Sequence, residues 1–116
     1  MNHKELDVWK RAMGLAKGVY EDTRTFPASE MYGLTSQLRR AAVSVPSNIA
    51  EGAARGTDGE FVRFLRIALG SLAEIETQLL LAAQLGYIQG STPLLQNVED
   101  TRRMLLGLIR HLESKS

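Results

Sequence analysis

The stretch from Tyr32 to Arg55 constrains the fold most strongly, because it has a helical pattern on more than one face. It reads YGLTSQLRRAAVSVPSNIAEGAAR. At 3.6 residues per turn, one stripe is apolar or small, which is typical of a helix face that packs on a core. That stripe comprises Leu34, Leu38, Ala41, Ala42, Val45, Ile49 and Gly52. The outer side carries Val43 and Ala50 where a helix facing water has charges. The sequence therefore predicts that a partner covers this side as well.

Pro46 lies in the middle of this stretch. In an ordinary helix interior, proline removes one backbone hydrogen bond and crowds the preceding turn, which costs about 3 kcal/mol. The apolar stripe keeps its phase across the proline, so we predict one helix with a kink at Pro46 rather than two helices. A second interpretation is that the freed carbonyl of Ala42 accepts a hydrogen bond from a partner side chain.

Three further segments have the periodicity of amphipathic helices, with turn or capping residues between them. Thr57 and Glu60 have the spacing of a capping box, Gly86 that of a glycine ending a helix, and Thr92-Pro93 that of a helix start. The predicted helices span about residues 7–24, 32–55, 58–85 and 93–112. Short turns make sequential helices antiparallel neighbours. The predicted fold class is all-α, in a single domain covering residues 1–116.

Composition excludes several classes of protein. Apolar residues make up 44% of the 116 residues and charged residues 23%, which is ordinary for a soluble globular domain. The absence of cysteine excludes disulfides and thiolate metal sites and fits a reducing compartment. The apolar runs are far shorter than the ~20 residues of a membrane span, and the N-terminus has charges where a signal peptide is apolar. We therefore expect a soluble, cytoplasmic protein.

The sequence has no pattern typical of catalysis or of cofactor binding. His3 and His111 are the only histidines and lie near opposite ends, so no set has the spacing of a metal site. The serines lack an adjacent histidine that could act as a base, and the glycines do not form a phosphate-binding loop. We therefore expect no catalytic residues, no metal, no cofactor and no enzymatic activity.

Polar residues on the second and third helices have two interpretations. In the structural one, Asn48, Glu51 and Glu74 join arginines in a satisfied network, with Asn48 and Glu51 mostly buried, because an unpaired buried charge is costly. In the functional one, arginines contact nucleic-acid phosphates. The candidates are Arg39, Arg40, Arg55, Arg63 and Arg66. The net charge is only +1, so such binding requires arginines gathered by an oligomer.

Apolar residues outside the core stripes predict assembly. The first helix widens its apolar arc with Trp9, Met13 and Tyr20, and aromatic residues are enriched at subunit interfaces. The third helix is apolar over most of its circumference. Together with Val43 and Ala50 of the second helix, Trp9, Met13 and Tyr20 form the predicted interface of a homo-oligomer.

Two segments, YGLTSQLRRAAVSVPSNIAEG and EFVRFLRIALGSLAEIETQL, closely resemble a four-helix-bundle family often encoded in intervening sequences of bacterial 23S rRNA genes. The resemblance runs from about Leu6 to Leu112. A weaker similarity extends to accessory proteins of diversity-generating retroelements, which work beside a reverse transcriptase and bind nucleic acid. The resemblance implies an up-and-down four-helix bundle that assembles as a ring-shaped homopentamer without enzymatic activity.

Two functions remain open at this point. The resemblance favours a scaffold that binds structured RNA or a nucleic-acid enzyme. The alternative is a purely structural oligomer that acts through protein–protein contacts.

Overall fold

Four long α-helices contain most of the residues in the computed structural model, which describes residues 1–90 and 92–115. They are α1 (Asp7–Asp22), α2 (Leu34–Ala54), α3 (Asp58–Gln84) and α4 (Pro93–Ser114). Short 3-10 turns span His3–Glu5, Thr23–Thr25 and Ala28–Glu30. The described residues contain no strand, so the predicted all-α class is confirmed. Within the same ranges, no helix combines the length and the apolar character that crossing a bilayer requires.

The helix ends follow from local hydrogen bonds. The Thr57 hydroxyl accepts the backbone N–H of Glu60 at 3.2 Å, and the Thr92 hydroxyl accepts that of Leu94 at the same distance. Glu60 does not complete the predicted capping box with its carboxylate, because that group accepts a bond from Arg63. Gly86 has φ of +81° after α3, as expected of a glycine that ends a helix.

The second helix begins later than predicted. Its first residue is Leu34 instead of Tyr32, because residues 31–33 form a turn that follows the 3-10 turn Ala28–Glu30. The Glu30 carboxylate closes this junction by accepting the backbone N–H of Leu34 at 3.1 Å. The first helix likewise ends at Asp22, where the 3-10 turn Thr23–Thr25 follows.

Sequential helices run in opposite directions and pack in the cyclic order α1, α2, α3, α4. Gln37 on α2 lies against Gln78 on α3, and Ser44 on α2 lies against Ser71 on α3. Residue numbers therefore rise along α2 in the direction in which they fall along α3, so the two helices are antiparallel. The fold is thus an up-and-down four-helix bundle, as predicted. Its central layer consists of fully buried side chains from all four helices: Leu15, Leu38, Ile49, Leu65, Leu72, Ile75, Leu79 and Leu105.

The α2 and α3 backbones are in close contact at Gly52. A Cβ atom at this position would lie 2.8 Å from Cβ of Phe64 and 3.2 Å from the backbone oxygen of Phe61. Glycine is therefore the residue that lets the two backbones approach here. Pro46 is buried within α2, which continues unbroken from Leu34 to Ala54. The prediction of one helix is confirmed, and the kink at Pro46 stays a prediction.

Candidate interaction surfaces

The five residues predicted to form an interface line one groove between α1 and α2. Trp9, Met13 and Tyr20 form its α1 side, and Val43 and Ala50 belong to its α2 wall. We call this surface the α1–α2 groove. Met13, Tyr20 and Val43 are each more than 40% exposed although all three are large apolar side chains. Helical spacing places Met13 and Tyr20 there, because the other face of α1 is buried in the core and comprises Val8, Ala12, Leu15 and Val19.

One end of the groove is apolar and closed by an aromatic contact. The ring of His3, from the N-terminal 3-10 turn, lies edge-on to the Trp9 indole with 5.2 Å between ring centroids. Opposite them the α2 wall is formed by Pro46, Ser47 and Ala50. These side chains are small or compact, so a helix from another molecule can approach the wall closely.

The other end of the groove is basic. It continues past Val43 to Tyr32, Arg39 and Arg40. The Arg39 side chain is held in place, because its Nε donates to the Thr23 hydroxyl at 2.9 Å and its guanidinium lies 4.7 Å from the Tyr20 ring centroid. Arg40 is exposed and has no hydrogen bond or ion pair with any described residue. The Arg40 guanidinium is therefore available to an incoming group.

A second apolar surface lies on α3, outside the groove. Ile67 and Leu81 on α3 are 42% and 44% exposed, and Leu85 at its C-cap is 50% exposed. Their spacing puts all three on one side of the helix. Glu74, also exposed, lies on the same side midway between Ile67 and Leu81. We call these four residues the α3 stripe. The predicted interface did not include them, although Ile67 and Leu81 fall outside the core stripe of the sequence pattern.

The structure does not bring the five candidate arginines together. Arg39 and Arg40 lie near the start of α2 and Arg55 just after its end. Sixteen residues of helix separate Arg39 from Arg55, or about 24 Å. Arg66 points to the opposite seam, where Nη2 lies 3.2 Å from a Glu113 carboxylate oxygen on α4. A single phosphate-binding patch made of all five arginines is therefore not present on one chain.

Arg55 and Arg63 form a pair of arginines beside Phe64. Their guanidinium carbons lie 4.9 Å and 4.5 Å from the centroid of the Phe64 ring. Each also binds a carboxylate: Arg55 that of Glu51 at 2.6 Å, and Arg63 that of Glu60 at 2.8 Å. The hydrogen bond from Arg63 is the main reason why the pKa of Glu60 is lowered, and the same bond raises the pKa of Arg63.

The predicted burial of Glu51 is wrong for the single chain. Half of its side chain is exposed, and its ion-pair partner is Arg55 on the same face, four residues on. Glu74 is exposed as well and has no partner within the described part of the chain. Both residues lie on the outer side of the α2–α3 seam, where no other helix of the same chain covers them. They do not form the predicted network with Asn48.

Asn48 is half-buried and hydrogen-bonded, but its partners are serine groups. Its amide nitrogen donates to the backbone oxygen of Ser44 at 2.8 Å and to the hydroxyl of Ser44 at 2.9 Å. The Ser44 hydroxyl in turn lies 2.8 Å from that of Ser71 on α3. This neutral chain is therefore a polar link between α2 and α3, and the charged residues singled out in the sequence did not indicate it.

Across residues 1–90 and 92–115, no group of three or more histidine, aspartate or glutamate side chains is arranged to hold a metal ion. No curated protein matched the sequence. The model of one protein family, described as 23S rRNA-intervening sequence protein, matches residues 4–107. That match covers both sequence segments that carry the resemblance and all four helices, the last of them in part. The chain belongs to the 23S rRNA-intervening sequence protein family.

Proposed function

We propose that the protein is a homo-oligomeric scaffold without catalytic activity of its own. The observation that carries this proposal is the pair of exposed apolar surfaces, the α1–α2 groove and the α3 stripe. Soluble monomers rarely expose large apolar patches, and such patches mark sites of protein–protein contact. Burying both surfaces against further copies of the chain removes them from water.

The resemblance to the family supports five copies in a ring. Two different surfaces on each copy fit this arrangement, because a contact between unlike surfaces repeats from copy to copy and closes if the rotation allows. The absence of cysteine and the family membership support a cytoplasmic location.

As part of the same function we propose that the assembly binds structured RNA. The resemblance to the family supports this, and the pair Arg55 and Arg63 offers a contact site on each copy. Their carboxylate partners, Glu51 and Glu60, are exposed, and exposed ion pairs contribute only about 0 to 1 kcal/mol. A phosphate can therefore replace these partners at little cost. A net charge of +1 gives one copy almost no attraction for RNA, so the assembly must repeat the site.

The alternative function is a structural oligomer whose partner is another protein, including a nucleic-acid enzyme. The apolar end of the groove supports it if that end stays open in the assembly. The two functions predict that different molecules, nucleic acid or another protein, co-purify with the untagged protein.

The experiment that tests assembly is light scattering coupled to size exclusion at micromolar concentration. We expect a single species of several times 12.8 kDa, and a mass of 12.8 kDa would refute the scaffold. Sequencing the nucleic acid that co-purifies with this species tests RNA binding. Enrichment of one structured RNA supports it, whereas an assembly free of nucleic acid at low salt favours the protein-only alternative.

A further inference from the structure

We infer that the α3 stripe of one copy docks into the α1–α2 groove of the next copy, with Glu74 facing Arg40. This inference rests on the proposed self-assembly and names the two surfaces that meet. It assigns Arg40 to the subunit interface instead of to RNA.

The two surfaces match in length. The α2 wall of the groove extends from Thr35 to Ala50, and the stripe from Ile67 to Leu85. At 1.5 Å per residue these distances are about 22 Å and 27 Å. A row of side chains on one helix fits the depression between two others, which is the usual geometry of helix packing.

Small residues on both surfaces allow a close approach. Ser47 and Ala50 line the groove, and Gly70 lies beside the stripe one turn from Ile67. A Cβ atom at Gly70 would meet nothing within 4 Å, so this side of α3 is open in the single chain. The exposed Val43, at the middle of the groove, can then enter the gap beside Gly70.

The charges of the two surfaces are complementary. Among the described residues, the lining of the groove includes the cations Lys17, Arg39 and Arg40 and no carboxylate. The stripe carries one charge, the Glu74 carboxylate, at its middle. Arg40 and Glu74 have no ion-pair partner in the described part of the chain, so each can pair across an interface. Complementary charges at an interface select the partner and fix the register.

The same charges disfavour contacts between like surfaces. Two grooves facing each other would bring arginines together, and two stripes would bring Glu74 against its own copy. The favoured contact is therefore groove to stripe. Because every groove-to-stripe contact is the same, each copy is related to the previous one by the same rotation. Such a contact is compatible with a closed ring.

Two single substitutions test this pairing. Val43→Asp places a carboxylate in the groove and leaves the stripe intact, whereas Leu81→Asp does the reverse. Both positions are 44% exposed in the single chain, so we expect both variants to fold, which circular dichroism checks. Each variant alone should run at the single-chain mass of 12.8 kDa. An equimolar mixture should give a species of twice that mass, because one intact groove and one intact stripe remain.

Other results would overturn the pairing in distinguishable ways. If Leu81→Asp alone still forms dimers, the groove pairs with a groove. If Val43→Asp alone does so, the stripe pairs with a stripe. If both keep the parental mass, neither surface is the interface and the inference fails while the scaffold proposal stands. A monomeric parent protein refutes the proposed function itself.

The pairing of Glu74 with Arg40 is tested by charge reversal. Arg40→Glu and Glu74→Arg should each weaken association by about tenfold or more, and the double variant should recover most of that loss. Matched controls are Arg110→Glu on α4 and Glu76→Arg elsewhere on α3, which should leave the mass unchanged. Failure of the double variant to recover the assembly would overturn this pair.

Cross-linking gives a second measurement that does not depend on weakening the assembly. The sequence has no cysteine, so introduced thiols have no competitors. Arg40→Cys and Glu74→Cys chains, mixed by subunit exchange and then oxidised, should form a covalent dimer. Either variant alone should not, because in a groove-to-stripe contact two copies of the same position do not meet. Cross-linking of Arg40→Cys with itself would contradict the inference.

Discussion

The hydroxyl oxygens of Ser44 on α2 and Ser71 on α3 lie 2.8 Å apart. Ser71 is buried, and the Asn48 amide donates to the Ser44 hydroxyl from the next turn of α2. The central pair of helices is thus joined by a neutral hydrogen-bonded chain within the α2–α3 seam. Because a buried polar group without a partner is costly, each member of the chain depends on the next.

Removing one hydroxyl from this chain should destabilise the protein moderately. We expect Ser71→Ala to lower the free energy of unfolding by about 1 kcal/mol, because the Ser44 hydroxyl loses a partner and keeps only that of Asn48. Urea unfolding at one fixed protein concentration measures this change in the free energy of unfolding. Thr77→Ala, at an exposed position of the same helix, is the control and should change stability by less. Equal effects of the two substitutions would contradict this prediction.

Two glycine substitutions should have opposite effects. Gly52→Ala should destabilise the protein by about 1 to 3 kcal/mol, because the new Cβ meets Phe64 and the backbone of Phe61. Gly14→Ala, where a Cβ meets nothing within 4 Å, should stabilise it by up to about 1 kcal/mol through helix propensity. The denaturant concentrations at which the two variants and the parent are half unfolded test this prediction. A stabilising Gly52→Ala would mean that α2 and α3 are not in close contact there.

Glu51→Ala should have a small effect. Its ion pair with Arg55 is exposed and joins residues four apart on one helix, and such pairs contribute about 0.3 to 0.5 kcal/mol. If Glu51 were buried, as predicted from the sequence, Glu51→Ala would instead lower the free energy of unfolding by about 3 kcal/mol. Chemical unfolding of the variant separates the two values. A large loss accompanied by dissociation would show that Glu51 is covered in the assembly.

RNA binding, if it uses the pair beside Phe64, should depend on salt in a defined way. Each phosphate contact steepens the slope of log affinity against log salt by about 0.7 to 0.9. Arg63→Gln should flatten that slope while the mass of the assembly stays the same. Arg110→Gln is the matched control and should leave the slope unchanged. Titrations of labelled RNA at several salt concentrations give both slopes, and equal slopes would exclude Arg63 as a contact.

Low pH should destabilise the protein by protonating Glu99 on α4. Hydrogen bonds from Arg102, and then Arg103, lower the pKa of Glu99 to about 2 from an ordinary value of 4.5. A pKa lowered by folding means that the contribution to stability is present above pH 4.5 and is lost as the pH falls toward 2. Glu99→Gln lacks this contribution, so its stability should fall less than that of the parent over this range. Thermal unfolding of the parent and of Glu99→Gln at pH 5 and pH 2.5 measures the two losses of stability. Equal losses would contradict the role given to Glu99.

The positions of the helices could be predicted because their determinants are local. Periodicity located all four, and Thr57, Gly86 and Thr92 mark ends that the structure also has. The residues of the α1–α2 groove could be predicted for the same reason, since Trp9, Met13 and Tyr20 recur at helical spacing outside the core stripe.

The polar contacts could not be predicted in this way. A helical wheel gives the direction of Glu51 or Arg55 but not whether another element covers it. A wheel also omits the rise along the helix axis, so Arg39 and Arg55 were grouped although their separation in sequence implies about 24 Å. The serine chain was missed because a neutral buried hydroxyl leaves no signal in a pattern of charges.

Trp9 is the only tryptophan in the sequence, and it lies half-buried in the α1–α2 groove. Indole emission depends on contact with water, so covering the groove changes the fluorescence of this one side chain. The protein therefore contains its own optical reporter of groove occupancy. Subunit exchange can be followed with unlabelled protein, in real time and at concentrations too low for scattering.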